Sequence, residues 1–588
     1  MRLLHIVATF SLAGSALSQS NTVDAYISSE SPIAKAGLLA NIGPNGAKCS
    51  GAKSGVVIAS PSTNPNYIYT WTRDSSLVFK AIIDQFTLGQ DPSLRSQIDN
   101  FIKAETFLQQ VSNPSGTVSS GGLAEPKFNV DETAFTGAWG RPQRDGPGLR
   151  STALITYANW LVENNNATFV SSTLWPIIQL DLDYVAGNWN KTGFDLWEEV
   201  QGSSFFTTAV QHRSLREGAA LATRIGQTSL VSNYNTQADN ILCFLQSYWN
   251  PNAGYITANT NSGRSGKDAN GALASIHTWD IAAGCDAATF QPCSDKALSN
   301  LKVYVDAFRT IYTINNGIPT GSAVATGRYP EDGYYGGNPW YLTTLAVAEQ
   351  LYDALTTWNS LGELNVTTVS LAFFKQFDSD VVVGTYPSTT ANYAALTGAV
   401  KNFADGFVEI VAKYTPANGG LSEQYNRGTG VQLSAADLTW SYASALTAFG
   451  ARAGTITASW GASGLVVPSR CSTAPTSTSS SSTSTPTPSP SPGSVSVTFN
   501  VHAITVYGEN IYLTGSVGQL QNWSPDNALL LSAANYPTWS ITVTLPANTA
   551  IQYKYIRKYN GKITWESDPN MQITTPSSGS IVENDTWR

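Results

Sequence analysis

Phe194-Asp195-Leu196-Trp197-Glu198-Glu199 brings three carboxylates and two aromatic rings into six consecutive residues, in a chain where only 13% of residues are charged. If the segment is helical, Asp195 stands at i with Glu198 and Glu199 at i+3 and i+4, on one face. Like charges that close hold at least one carboxyl protonated to higher pH, and burial against Trp197 or Phe194 adds to the effect. A carboxyl group that keeps its proton near neutrality can act as a general acid. A solvated acidic helix face would read the same way in isolation, so the surrounding sequence has to decide.

Four other stretches gather charged and aromatic residues. Tyr67-Ile68-Tyr69-Thr70-Trp71-Thr72-Arg73-Asp74-Ser75 reads either as a helix start capped by Asp74 or as a pocket where Arg73 and Asp74 bond hydroxyls beside Trp71. Trp139–Pro147 and Gly327–Gly333, the latter followed by Asn338-Pro339-Trp340, carry too much Pro and Gly for helix and read as loops. Loops that collect such residues are where binding and catalysis concentrate. Gly420-Leu421-Ser422-Glu423-Gln424-Tyr425 holds one acid after a glycine pair.

These stretches lie between helices. Leu77, Val78, Ala81, Ile82 and Phe86 form one stripe, and Ala153, Leu154, Tyr157, Trp160 and Leu161 another. Further helical patterns run near 95–111, 174–188, 205–226, 236–249, 296–311, 340–356, 370–377, 391–413 and 435–450, joined by long loops at 112–148, 250–278, 312–339 and 414–434. About a dozen helices make one large all-α domain, and periodicity alone leaves a helical barrel and an irregular bundle both open. Residues 472–494 are almost all Ser, Thr and Pro, an O-glycosylated linker that cannot build a core. The period then changes to two over 495–501, 510–515, 540–545, 551–557 and 563–566, which predicts a small all-β sandwich over 495–588.

The first 18 residues, a basic Arg2 and an apolar run followed by small residues, read as a secretory signal peptide, leaving 19–471 for the helical domain. No later run is long enough to span a membrane, and the mature protein is expected to be secreted. A net charge of −8 argues against nucleic acid as a partner, and 16 Trp and 26 Tyr suit flat ligands such as sugar rings. Five cysteines in an oxidising destination leave one unpaired, and Cys285 and Cys293 could close a short loop. No Cys/His grouping has zinc spacing, so neither a metal nor a cofactor is expected. Sequons stand at Asn166, Asn190, Asn365 and Asn584, with Asn522 weakened by Pro525.

Taken together, the segments YTWTRDS (69–75), WGRPQRDGP (139–147), FDLWEEVQGSSFFT (194–207), RSGKDAN (264–270), GRYPEDGYYGGNPW (327–340) and LSEQY (421–425) resemble the fungal glucoamylases of glycoside hydrolase family 15. YGENIYLTGS (507–516), NWSPDN (522–527) and WESDPN (565–570) resemble a family 20 starch-binding module. The resemblance implies an (α/α)6 barrel and an inverting exo-hydrolase that releases β-D-glucose from the non-reducing ends of starch, glycogen and malto-oligosaccharides, acting as a monomer. By the same resemblance Glu198 is the general acid and Glu423 the general base. Arg73, Asp74, Arg328 and the backbone of Leu196 would hold the terminal glucose. Tyr67, Trp71, Trp139, Trp197 and Trp340 would shape the pocket, with Asp195 and Glu199 tuning it. Phe135 departs from the pattern, where a Tyr is common. Trp523, Lys554 and Trp565 match one starch site of the module, and Tyr507 and Tyr536 a second. The implied disulfides are Cys243–Cys471 and Cys285–Cys293, with Cys49 free. A trehalase or glucodextranase of the same barrel type, or a decayed glucan-binding protein, are the alternatives. The starch-binding tail opposes the first pair, and two intact acids oppose the second.

Overall fold

The computed structural model describes residues 6–469, 494–505, 509–525, 528–535, 537–559 and 562–588. They fall into two compact units that divide within the Ser/Thr/Pro-rich stretch. In the first, twelve helices of eight residues or more occur among the described residues: α1 (Ile6–Ala40), α2 (Thr72–Thr87), α3 (Arg95–Gln110), α4 (Asp145–Glu163), α5 (Trp175–Asn188), α6 (Phe205–Arg224), α7 (Thr228–Leu245), α8 (Asn270–His277), α9 (Asp295–Ala307), α10 (Tyr341–Leu361), α11 (Ala391–Tyr414) and α12 (Thr439–Arg452).

Each even-numbered helix packs on the next even one, and α12 returns to α2, which closes a ring of six. The odd-numbered helices lie outside it: α3 on α2, α5 on α4 and α6, α7 on α6, α9 on α8, α11 on α10, and α1 on α11 and α12. That is an (α/α)6 barrel. An inner helix has protein on both sides, so it buries polar as well as apolar residues and loses the one-sided stripe of a surface helix. α6 buries His212, Arg213 and Glu217 along with Phe205, Phe206 and Leu215. The stripe expected on α2 is buried throughout, and α10 stops at Gly362, whose φ of +72° forms a left-handed cap.

Two expectations need correction. The stretch 250–278 is not all loop, because α8 lies inside it. Its Gly271 hides the helical signal, and that glycine is needed: a Cβ there would meet the Asn300 side chain of α9 at 2.3 Å. The pattern at 370–377 forms only the short helix Leu371–Lys375. Helix α1 runs unbroken past the expected cleavage point at residue 18, and no helix among the described residues is long and apolar enough to cross a membrane.

The second unit has two sheets built from β1 (Ser494–His502), β2 (Asn510–Gly515), β3 (Leu529–Leu530), β4 (Ser532–Asn535), β5 (Thr538–Pro546), β6 (Ala550–Tyr559), β7 (Lys562–Trp565), β8 (Met571–Thr574) and β9 (Ser580–Thr586). Their orders are β4-β5-β1-β9 and β3-β2-β6-β7, with β8 also on β6. The β1–β9 pair is parallel and the other pairs are antiparallel. The inward positions of β1 (Val495, Val497, Phe499 and Val501) meet Leu513, Trp539 and Tyr555 in the core.

Cys285 and Cys293 are disulfide-bonded, with Cα atoms 4.9 Å apart. Cys49 is buried and free. Cys471 lies outside the described residues; Cys243 Sγ is 3.7 Å from the carbonyl oxygen of Pro468, three residues before it. Asn365 and Asn584 are exposed, Asn166 and Asn190 half-buried.

Candidate active site

A cavity of about 480 Å³ opens at the N-terminal ends of the inner helices, within the usual range for small-ligand sites of about 300–1,000 Å³. Each of its chemical groups sits where a loop enters the ring: Arg73 and Asp74 at the start of α2, Trp139 before α4, Trp340 before α10, Trp440 at the start of α12.

The acidic stretch that suggested a helix is instead a hairpin loop. Gly193–Phe194 pairs antiparallel with Gln201–Gly202, and the turn between them is fixed by Asp195. Its buried carboxylate accepts from the backbone N–H groups of Glu199 at 2.9 Å and Val200 at 3.0 Å through Oδ1. Through Oδ2 it accepts from Asn259 Nδ2 at 2.9 Å. Burial raises the Asp195 pKa, and the two backbone donors oppose it. Glu198 takes a left-handed φ of +67°, so the three acids do not share one face. Asp195 lies beneath the loop, off the cavity wall, while Glu198 and Glu199 line it.

Glu198 Oε1 accepts from Trp71 Nε1 at 2.8 Å and from Arg73 Nη2 at 3.2 Å. Its Oε2 has no hydrogen-bond partner among the described residues, and the side chain is 18% exposed. Arg73 is anchored on Gln143 at 2.8 Å and Asp145 at 3.0 Å, and its buried Nε, without a hydrogen-bond acceptor among the described residues, lies 3.8 Å from Asp74 Oδ2. Asp74 beside it is pushed up to about 7, by burial first, with Arg73 opposing and Glu198 adding to the rise.

Glu423, almost fully buried, has the opposite character. Its Oε1 accepts from Tyr67 Oη at 2.8 Å, and its Oε2 from Gln424 Nε2 at 2.9 Å and from Ser434 Oγ. Burial raises its pKa and the three donors pull against that rise. The two acids thus hang from neighbouring rings, since Tyr67 and Trp71 have centroids 5.6 Å apart.

Glu199 makes an ion pair with Arg328 at 2.9 Å and with Arg264 at 2.8 Å, and accepts from Tyr329. Burial would raise its pKa, but these partners prevail and lower it. Arg328 is gripped by Asp332 at 2.8 and 2.6 Å, which leaves Nη1 without a protein acceptor among the described residues. It is packed among Trp197, Tyr334 and Trp340, with centroids 5.1–5.5 Å away. Trp197 Nε1 donates to the buried Asp268 at 2.9 Å, whereas Trp340 Nε1 is buried without an acceptor.

Tyr67, Trp71, Arg73, Asp74, Trp139, Leu196, Trp197, Glu198, Glu199, Arg328, Trp340 and Glu423 all line this cavity, as does Phe135. Sequence reasoning missed Lys127, Tyr334 and Ser434. Lys127 is boxed by Trp139, Tyr69, Phe135 and Trp71, with centroids 3.5–4.6 Å away. Burial brings its pKa down to about 8, with Glu198 opposing. A lone Lys next to Pro126 and Phe128 was the available signal. In the second unit Trp565 is 40% exposed, Trp523 is half-buried, and Lys554 donates to Asp568 Oδ1 at 2.5 Å. Tyr507 and Tyr536 lie outside the described residues. Among the described residues no group of three or more His, Cys, Asp or Glu could hold a metal ion.

Comparison with known proteins matches residues 32–450 to the family described as Glycosyl hydrolases family 15, and residues 494–585 to that described as Starch binding domain. The chain is 63% identical to glucoamylase-1 of Schizophyllum commune over 585 residues, covering 99% of each chain. It is 50% identical to a glucoamylase of Neurospora crassa, covering 96% of this chain and 94% of that one. Among solved structures, the family 15 glucoamylase of Hypocrea jecorina superposes with a TM-score of 0.75 at 51% identity, over 96% of this chain and 100% of the other.

Proposed function

Because this chain belongs to the family 15 glycosyl hydrolases and carries a starch-binding domain, we propose that it is a secreted, exo-acting glucan 1,4-α-glucosidase. It removes glucose from the non-reducing ends of starch, glycogen and malto-oligosaccharides, with Glu198 as general acid and Glu423 as general base. The observation that carries the assignment of roles is the contrast between the two carboxyls of one cavity. Glu198 keeps one oxygen free of protein partners, where a proton can be carried to the leaving glycosidic oxygen. Glu423 accepts three hydrogen bonds, which favours its ionised form and suits a group that takes a proton from water.

The two acids come from loops 225 positions apart in the sequence. An inverting pair needs about 6.5–9.5 Å between carboxyls so that water fits between base and sugar. The adjoining Tyr67 and Trp71 rings supply separate mounts for such a pair. The free Nη1 of Arg328 is the donor left for the hydroxyls of the terminal sugar, with Asp74 at the same wall and Arg73 holding Glu198, and the rings of Trp71 and Trp340 are its walls. Leu196 contributes its backbone, Asp195 holds the loop, and Glu199 keeps Arg328 oriented. In the tail, Trp523 and Trp565 stack on glucan with Lys554 beside them, and the tether concentrates the catalytic unit at an insoluble surface. Cleavage near residue 18, the four sequons and the Cys243–Cys471 bridge complete the reading of a secreted glycoprotein.

Glu198→Gln and Glu423→Gln test the roles on soluble maltotriose. Each should lower kcat by about 10²–10⁴-fold with little change in KM, the range for loss of one positioned acid or base. Full activity in either variant would remove that residue from the scheme.

A further inference from the structure

A second chamber, of about 130 Å³, lies within the same ring of inner helices, farther along them from the active cavity. All six contribute to its wall, and it opens to solvent past the exposed Leu88 and Gln90. Nothing in the proposed reaction uses it.

Its charges do not balance. On α2, Lys80 is neutralised by Asp84, at 2.6 Å. On α6, Arg213 is held by Glu217 Oε1 at 3.0 and 2.9 Å and also donates to the carbonyl of His277 at 2.7 Å. On α8, burial and then Arg213 and Lys80 keep the His277 imidazole neutral, with its pKa near 3. α4 and α12 present only Thr152 and Thr447 as polar groups between apolar residues. That leaves Glu349 and Asp353 of α10, one helical turn apart, with no ion-pair partner among the described residues. Glu349 accepts from Thr447 Oγ1 at 2.6 Å. The Asp353 side chain, 2% exposed, has no hydrogen-bond donor among the described residues. Burial pushes both carboxyls up, Asp353 further through the charge of Glu349.

Two other polar atoms at the wall are buried without a partner: Thr152 Oγ1 and His277 Nε2. Leu77, Leu149, Ile276 and Leu446 supply apolar wall between them. An unmatched acid pair, two unused polar atoms and apolar walls in one small solvent-accessible chamber describe a receptor for something cationic at one end and aliphatic at the other. We propose that this chamber is a second ligand site, which takes a small organic monocation: a protonated primary amine with a short aliphatic body. The ammonium sits against Asp353 and Glu349, with Thr152 Oγ1 as a further acceptor. Protons compete for the same carboxyls, so the site fills as pH rises and empties as it falls.

The test is a titration of the full chain with n-propylammonium chloride in phosphate buffer, read by thermal denaturation and by calorimetry. At pH 8 the calorimetric isotherm should saturate, and the Tm should rise with the logarithm of the ligand concentration, by about 1–2 °C at tenfold excess over Kd. Sodium chloride or 1-propanol at the same concentration should leave it unchanged, and the shift should vanish at pH 5. It should be lost in Asp353→Asn, which keeps its activity on maltose, and retained in Glu423→Gln, which alters the other acidic cavity. Thr152→Val should weaken binding several-fold and serves in place of Asp353→Asn if that variant does not fold. The proposal is overturned by the absence of a saturable binding heat and of any Tm shift at pH 8, by an equal shift with sodium chloride or propanol, or by a shift that survives Asp353→Asn and disappears in Glu423→Gln.

Discussion

Ser434→Ala is the sharpest probe of the proposed base. Ser434 Oγ donates to Glu423 Oε2, which also accepts from Gln424, while Tyr67 serves the other oxygen. The backbone at Ser434 is left-handed, with φ of +66°, and Ser and Ala bear that conformation about equally, so the substitution removes a donor and little else. A hydrogen bond to a charged group contributes about 1.5–3 kcal/mol, and one pKa unit corresponds to about 1.4 kcal/mol, which sets an upper limit of about 1–2 units. Two donors remain and water can enter the vacated space, so the expected rise is about 0.5–1 unit. The sign follows from the role. A general base works ionised, and losing a donor disfavours its ionised form, so the midpoint of the acidic limb must move to higher pH. The assay is kcat/KM on maltotriose across the acidic limb and into neutral pH, where the variant should regain most of the parental rate. A rate loss that is uniform in pH, or an acidic limb that moves down, would refute the assignment of Glu423.

Two further outcomes follow from the geometry. Asp195→Ala removes the acceptor of two backbone N–H groups and of Asn259, so the loop carrying Glu198 loses its shape. Leaving such buried donors unpaired costs about 1–3 kcal/mol each. A lower Tm together with a fall in kcat of at least tenfold is expected, and an active variant of unchanged Tm would contradict the role given to Asp195. Trp523→Ala and Trp565→Ala should each weaken adsorption to granular starch several-fold and leave turnover of maltose unchanged, as measured by depletion and by soluble assay; equal loss in both assays would mean the rings serve folding instead.

The helices were largely legible because their buried faces are periodic, though not their closure into a ring: the stripes at 74–86 and 149–161 coincide with α2 and α4. Helix α8 was not, since one turn of it is built on Gly271, a residue demanded by the approach of Asn300 and not by helix propensity. Of the site, the residues that cluster in aromatic loops could be found, and all but Asp195 reach the cavity wall. The shape of the loop itself could not. Spacings of three and four suit a helix face, but Asp195 satisfies backbone donors within its own turn and Asn259 fastens it from 64 residues away, an interaction with no local signature. Lys127 escaped for the same reason, as it acquires meaning from Tyr69 and Trp71 far along the chain, whereas Ser434 stands eleven residues from Glu423 and reaches it only through the pairing of 424–425 with 432–433.

The most direct test of the account is proton NMR of the anomeric signals during the first minutes of maltotriose hydrolysis by the full chain. A single displacement by water, activated by Glu423 across the ring from Glu198, predicts that β-glucose appears first and that α-glucose grows in only by mutarotation. If α-glucose appears first, the reaction passes through a covalent intermediate or a different base, and the two-carboxylate scheme on these residues is contradicted.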